Sequence, residues 1–245
     1  TSIKNILDEA EIKPFRIQYY CEKRDPEFEA KMHEVLLVYK QVEMLFDEDG
    51  NLYIPYEVQD VHTVSYDEKP GIQAIATTAP DLPPTKENGV IKRDGEYKRL
   101  GTISLLAGID LLSGQVIPLV RDTHNADDFI DFLKILDDRY PQGDAIRLIL
   151  DNHTVHTSKK VKLFLTTLPG RFIFVFTPKH GSWLNMIEGF FGKMTKQFLK
   201  GIRVVSKQEL IDRIYKYFNE INDTPVVYHW KYKMDEFDPS VGIAN

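Results

Sequence analysis

The sequence predicts an α/β fold in which a mixed central sheet is flanked by helices, an α+β arrangement of strand directions. Three observations carry this reading. Strand-like alternation comes first and in meander order, later strands alternate with helical periods, and 245 residues with 42% apolar content bury the core of one large domain. Residues 1–10 place Ile3, Ile6, Leu7 and Ala10 on one face of a short helix, with a linker over 11–20. Asp25-Pro26 is a cap followed by a first-turn proline, and it opens a long helix through Met32, Val35, Leu36 and Tyr39 to about Leu45. Residues 46–51 form an acidic turn. They are not a calcium loop, because Leu52 stands where its glycine belongs and Val58 where its bidentate glutamate belongs.

Residues 61–67 alternate as a strand that the Asp67-Glu68-Lys69-Pro70-Gly71 run is expected to end, which puts Asp67 at a strand's carboxyl end. The run 72–78 is available to extend the sheet. Residues 79–96, with Pro80, Pro83, Pro84, Gly89 and Gly95, read as a mobile loop. Residues 100–110 and 115–121 then pair as a hairpin around Leu112-Ser113-Gly114. Asn125 caps a helix carrying Phe129, Ile130, Leu133 and Leu136, which Tyr140-Pro141-Gln142-Gly143 stops. Residues 147–151 are a short buried strand, followed by a helix capped at Thr157 or Ser158, a strand at 172–176 and a helix over 184–199. Ser206 and Glu209 form a capping box for a last helix to about Ile221.

Composition narrows the function classes. Cys21 is the single cysteine, so no intrachain disulfide is possible, no zinc site built on thiolates is expected, and a reducing, cytoplasmic setting fits. No stretch has the apolar length of a membrane span, and the start lacks the pattern of a secretory signal. A formal charge of −6 argues on its sum against a nucleic-acid partner, but local basic stripes can face a substrate while carboxylates set the total.

Asp67 and Asp151 each follow an apolar strand and precede turn-forming residues. Taken singly, such residues are commonly turn formers or caps. Delivered together to one sheet edge, two carboxylates either share a proton or take up cations, and hard divalent ions with oxygen ligands suit attack on a phosphodiester. Glu188 offers a third acid on a helix. On a helical wheel, Ile187, Phe190, Phe191, Met194 and Phe198 share one face, Lys193, Lys196 and Lys200 lie roughly opposite, and Glu188 is at the border.

The segments Leu150-Asp151-Asn152-His153-Thr154-Val155-His156 and Phe176-Thr177-Pro178-Lys179-His180-Gly181-Ser182-Trp183-Leu184-Asn185-Met186-Ile187-Glu188 closely resemble the mariner-type superfamily of DDE transposases, in its bacterial insertion-sequence branch. Tyr66-Asp67-Glu68 fits the first aspartate of that pattern. The resemblance covers roughly residues 25–237 and implies a ribonuclease-H-like fold. It implies two Mg²⁺ ions, replaceable by Mn²⁺, held by Asp67, Asp151 and Glu188 as the catalytic acids. It also implies hydrolysis of a phosphodiester at the transposon end, then attack of the freed 3′-hydroxyl on target DNA. The implied partners are terminal inverted repeats and target DNA, engaged by a homodimer in the bacterial cytoplasm at the nucleoid. Family members usually carry helix-turn-helix modules ahead of this domain, so residues 1–24 are expected to be the tail of a DNA-binding region and linker, and 25–245 the catalytic domain with its C-terminal helix.

Neighbouring residues receive narrower expectations. Glu68 points to the opposite strand face from Asp67 and is left outside the triad. His153 and His156 order the loop after Asp151, with His156 also a candidate for a phosphate contact. Trp183 and Asn185 support the Glu188 helix, and Trp183 is in reach of DNA. Lys98 and Arg99, with Lys92 and Arg93, are either a basic DNA-contact patch or a solvated loop. Two rival functions keep part of this frame: a ribonuclease-H-like nuclease that only hydrolyses, and a non-catalytic DNA-binding protein derived from a transposase.

Overall fold

A computed structural model describes residues 25–232 and, before them, Leu7 alone. The short helix and linker expected over residues 1–24 therefore lie outside the described residues, apart from Leu7, which is helical. In chain order the elements are α1 (Phe28–Glu43), β1 (Val61–Thr77), β2 (Tyr97–Asp110), β3 (Val116–Arg121) and α2 (Ala126–Arg139). Then come β4 (Ala145–Leu150), α3 (Lys159–Thr166), β5 (Phe172–Phe176), α4 (Met186–Met194) and α5 (Lys207–Asp223). The sheet order is β3-β2-β1-β4-β5. β1, β2 and β3 are an antiparallel meander, whereas β4 and β5 run parallel to β1. The mixed sheet expected from the element order is thus present.

Each face of the sheet has its own core, as the two-residue period of a strand requires. Val64, Tyr66, Leu106, Leu148 and Leu150 pack with Phe129, Phe132 and Leu133 of α2 and Val161 of α3. Ile103, Leu105, Ala107, Ile109 and Ile149 pack on the other side with α1, α4 and α5 through Val35, Tyr39, Ile187, Phe190, Met194, Leu210 and Ile214. Gly108 permits the closest approach of α2, because a Cβ there would lie 2.6 Å from Val64 and 3.2 Å from Phe132.

Two local expectations are corrected. The Pro70-Gly71 pair does not end the first strand, which continues to Thr77. It makes a β-bulge instead: the register with β2 shifts between Lys69 and Ile72, and Gly71 takes φ +69°. The bulge inverts the alternation, so Ile72 and Ala74 join the same core as the odd-numbered residues before it would. Likewise α1 begins at Phe28 rather than at Pro26, with Pro26 and Glu27 in a turn ahead of it; the Asp25 carboxylate still accepts the Glu27 amide as a cap would, and also holds the Lys179 amide and the Lys31 ammonium. The 79–96 loop is pinned by the Leu82–Lys92 bridge and by an Arg93–Asp81 ion pair.

Candidate active site

Asp67 lies beyond the last parallel pair of β1 with β4, Ser65 opposite Ile149. Continued by two residues, that register sets Asp67 beside Asp151, the first residue after β4, and the shared parity puts both side chains on the face of α1, α4 and α5. The position expected at a strand end is therefore the end of the parallel pairing, not of β1 itself. Asp67 Oδ1 accepts the Glu68 amide at 2.8 Å, and Asp151 Oδ1 accepts the His153 amide at 2.9 Å.

Glu188 reaches this edge on the first turn of α4. The preceding segment is a 3₁₀ turn, Ser182–Leu184, and after Met194 the helix widens into a π turn over Thr195–Leu199, so the single helix expected over 184–199 is three pieces. Asn185 occupies the N-cap but does not cap with its side chain. It faces β1 instead: Oδ1 accepts the Ser65 hydroxyl at 2.5 Å and Nδ2 donates to the Tyr66 carbonyl at 2.7 Å. The orphan amides of the helix start are met by other elements, Ile187 by Ser65 Oγ at 3.0 Å and Met186 by the Tyr39 hydroxyl at 3.3 Å. Tyr39 in turn donates to the Leu184 carbonyl at 2.7 Å. The helix carrying Glu188 is thus bolted to the strand carrying Asp67, two residues before Asp67.

The electrostatics reflect that crowding. Burial pushes the Asp67 carboxyl up to about 7; the Glu68 amide opposes the rise, while the negative charges of Glu68, Asp151 and Glu188 add to it. Asp151 behaves oppositely. Burial would raise it, but hydrogen bonds from His156 and the His153 amide hold it below the ordinary carboxylate range. His156 is buried with a side chain 0% exposed, so the phosphate contact expected of it is corrected: its ring lies between Phe129 and Tyr66 and is closed to DNA. Burial would lower its pKa, but hydrogen bonds to Asp151 and Glu68 push it up to about 10.

The remaining expected contacts are distributed along the surface. Lys193, Lys196 and Lys200 are exposed on α4 and the π turn, and Lys98 and Arg99 are exposed on β2. Arg93 is engaged by Asp81 and donates to the Gly201 carbonyl at 2.7 Å, tying its loop to the segment after α4. Trp183 is 44% exposed and leans on Trp230 and Tyr232. Sequence pattern gives Asp25 only as a helix cap, Tyr39 only as a position on the apolar face of α1, and Ser65 no role at all. Ser65 does carry a signal, since it shares Asp67's strand face two residues earlier. Glu68 does point away from Asp67, yet it is not idle: its side chain accepts from the Tyr66 hydroxyl at 2.8 Å and pairs with His156 at 3.0 Å.

Among the described residues, Glu68, Asp151 and His156 also bring one potential ligand atom each within 4.8 Å of one another. This group is a poor ion seat. Both His156 nitrogens face carboxylate or carbonyl oxygens, and the ring is shut off from water.

Residues 66–211 match the family described as DDE superfamily endonuclease. The insertion element IS630 uncharacterized 39 kDa protein of Shigella sonnei is 24% identical over 97 residues, which are 40% of this chain and 28% of that protein. Among solved structures, the Mos1 mariner paired end complex with Mn superposes at a TM-score of 0.54 and 14% identity, over 89% of this chain and 62% of that one. The catalytic domain of Mos1 mariner transposase does so at 0.51 and 13% identity, over 83% and 85% of the two chains. The ribonuclease-H-like sheet is the shared part. Because the matched segment takes in more than half of the sequence and holds Asp67, Asp151 and Glu188, the chain belongs to the DDE superfamily endonuclease family.

Proposed function

We propose that this chain is the catalytic domain of a DNA transposase of the mariner and IS630 kind, which cuts phosphodiester bonds at transposon ends and joins the 3′-hydroxyl to target DNA. The observation that carries the reading is the gathering of Asp67, Asp151 and Glu188 from β1, the end of β4 and α4 at one sheet edge. The donor set is all oxygen, Asp67 is half-buried, and among the described residues neither Asp67 nor Glu188 has a lysine, arginine or histidine ion-pair partner. Such a set fits divalent cations, and we assign it two Mg²⁺ or Mn²⁺ ions; the Mos1 complexes that share the fold are described with Mn and with Mg. Bound there, the ions supply Lewis-acid polarisation of phosphate oxygens and a more acidic water.

The chain's own residues hold the carboxylates in place. Asn185, Ser65 and Tyr39 fix the helix of Glu188, and the exposed lysines of α4 offer a path for a phosphate backbone. Pairing two transposon ends calls for two copies of the protein, so we propose a homodimer on DNA, acting in the bacterial cytoplasm. We place the tail of a DNA-binding region at residues 1–24 and the catalytic domain at 25–245. Among the described residues no helix is long and apolar enough to cross a membrane.

The test is Mn²⁺- or Mg²⁺-dependent cleavage and strand transfer on transposon-end DNA, with Asp67→Ala, Asp151→Ala and Glu188→Ala beside the parent. Each variant is expected to fall to background in both reactions. Persistent cleavage in any one of them overturns the triad, and cleavage without joining reduces the activity to that of a nuclease.

A further inference from the structure

Glu68 is linked to both strand-end carboxylates, to Asp67 directly and to Asp151 through His156. Its amide donates to Asp67 Oδ1 at 2.8 Å, and its side-chain Oε1 lies 3.0 Å from His156 Nε2. The other ring nitrogen, Nδ1, lies 3.1 Å from the Asp151 carbonyl and 3.3 Å from Asp151 Oδ1. Asp151 Oδ1 therefore accepts the His153 amide and stands in ion-pair contact with His156, whose Nδ1 hydrogen-bonds the Asp151 carbonyl, while Oδ2 has no hydrogen-bond partner among the described residues. The Tyr66 hydroxyl, 2.8 Å from Glu68 Oε1, holds the far end of the chain. Ring centroids 4.6 Å from Phe129 and 5.7 Å from Tyr66 deny the imidazole other rotamers.

We propose that Tyr66, Glu68 and His156 form a relay that fixes the Asp151 carboxylate for cation binding, with Oδ1 held and Oδ2 presented, and that His156 is a positioning residue rather than a ligand. This rests on the reading of Asp67, Asp151 and Glu188 as metal ligands. The relay runs around the strand ends, from the α2 face, where Glu68 and His156 lie, to the α4 face, where Asp151 works. Its chemistry is that of an outer ligand shell, in which a hydrogen bond to a coordinating group sets that group's orientation; loss of such a partner typically weakens metal binding about 10–100-fold.

The experiment is Mn²⁺ affinity of the full chain, read from the electron paramagnetic resonance signal of free Mn²⁺, with circular dichroism melting to check folding. His156→Asn keeps a donor near the position of Nδ1, whereas His156→Phe fills the same aromatic pocket and donates nothing. The relay predicts a dissociation constant higher by about 100-fold for the Phe variant, which loses both links, and by about tenfold for the Asn variant, which keeps the donor toward Asp151 and loses the link to Glu68. Glu68→Leu leaves the ring in place but frees its far nitrogen, and is expected to weaken binding about tenfold. Parent-like affinity in His156→Phe or in Glu68→Leu overturns the relay. Equal weakening in His156→Asn and His156→Phe also overturns it, by making His156 a direct ligand. Asp67→Asn and Glu188→Gln keep the two questions apart: if both bind Mn²⁺ like the parent, the three-carboxylate reading fails, whatever the His156 series shows.

Discussion

Asn185 joins the strand of the first acid to the helix of the third. It is 2% exposed, and its amide satisfies the Ser65 hydroxyl and the Tyr66 carbonyl at once. Asn185→Ala takes the acceptor from the buried Ser65 hydroxyl proton and this donor from the Tyr66 carbonyl, so we expect a loss of about 2–4 kcal/mol, measured by urea unfolding. A loss below about 0.5 kcal/mol would show that the two bonds do not hold the helix. Asp25 plays a similar part at the loop ahead of the helix, where its carboxylate accepts the Lys179 amide at 2.9 Å. That bond, with Lys31 and the Glu27 amide, outweighs burial and lowers the Asp25 pKa from 3.8 to about 2. The folded value lies below the unfolded one, so the stabilisation is present above about pH 4 and is lost as pH falls toward 2. Asp25→Asn is expected to flatten acid unfolding in that window, and an unchanged acid limb would remove Asp25 from the account.

At the scale of elements, the docking of α4 explains why a helix start without its own side-chain cap is stable. Its amides are met by hydroxyls from α1 and β1. The same packing turns Ile187, Phe190, Phe191 and Met194 inward and leaves Lys193, Lys196 and Lys200 in water. If this stripe tracks a DNA backbone, each lysine displaces close to one counterion. Replacing all three with alanine is then expected to reduce the slope of log affinity against log salt by about 2–3, as measured by fluorescence anisotropy. A slope unchanged by the triple substitution would assign the stripe to solvent alone. The opposite edge of the sheet is closed by α5, whose Asn222 side chain bonds both the amide and the carbonyl of Val116 on the edge strand β3, each at 2.8 Å.

For the whole molecule, an acidic sum and a phosphate substrate are compatible because the charges are segregated. The formal charge is −6, yet three of the acids converge at the sheet edge, and the Asp67 carboxyl is pushed up by burial and, to a smaller extent, by the negative charges beside it. A cation that relieves this crowding binds the folded chain and not the unfolded one. At 100 times its dissociation constant, Mn²⁺ is expected to stabilise the fold by about 2.7 kcal/mol and to raise the melting temperature by about 5–10 °C. The shift should vanish in Asp67→Asn, and its survival there would place the cation elsewhere.

The sequence by itself determined the order of the elements, the capping of α2 by Asn125 and of α5 by Ser206, and which acids stand where strands give way to turns. These are near-neighbour properties, written in periodicity and in residues that satisfy the first amides of a helix. Only the tertiary structure decided that β1 runs on through a bulge at Pro70-Gly71, because alternation identifies a buried face without naming its partner strand. It also decided that Tyr39 reaches Leu184 and that His156 is buried against Glu68 rather than facing DNA. Those contacts join residues far apart in the chain. Their energy comes from groups that no local pattern pairs.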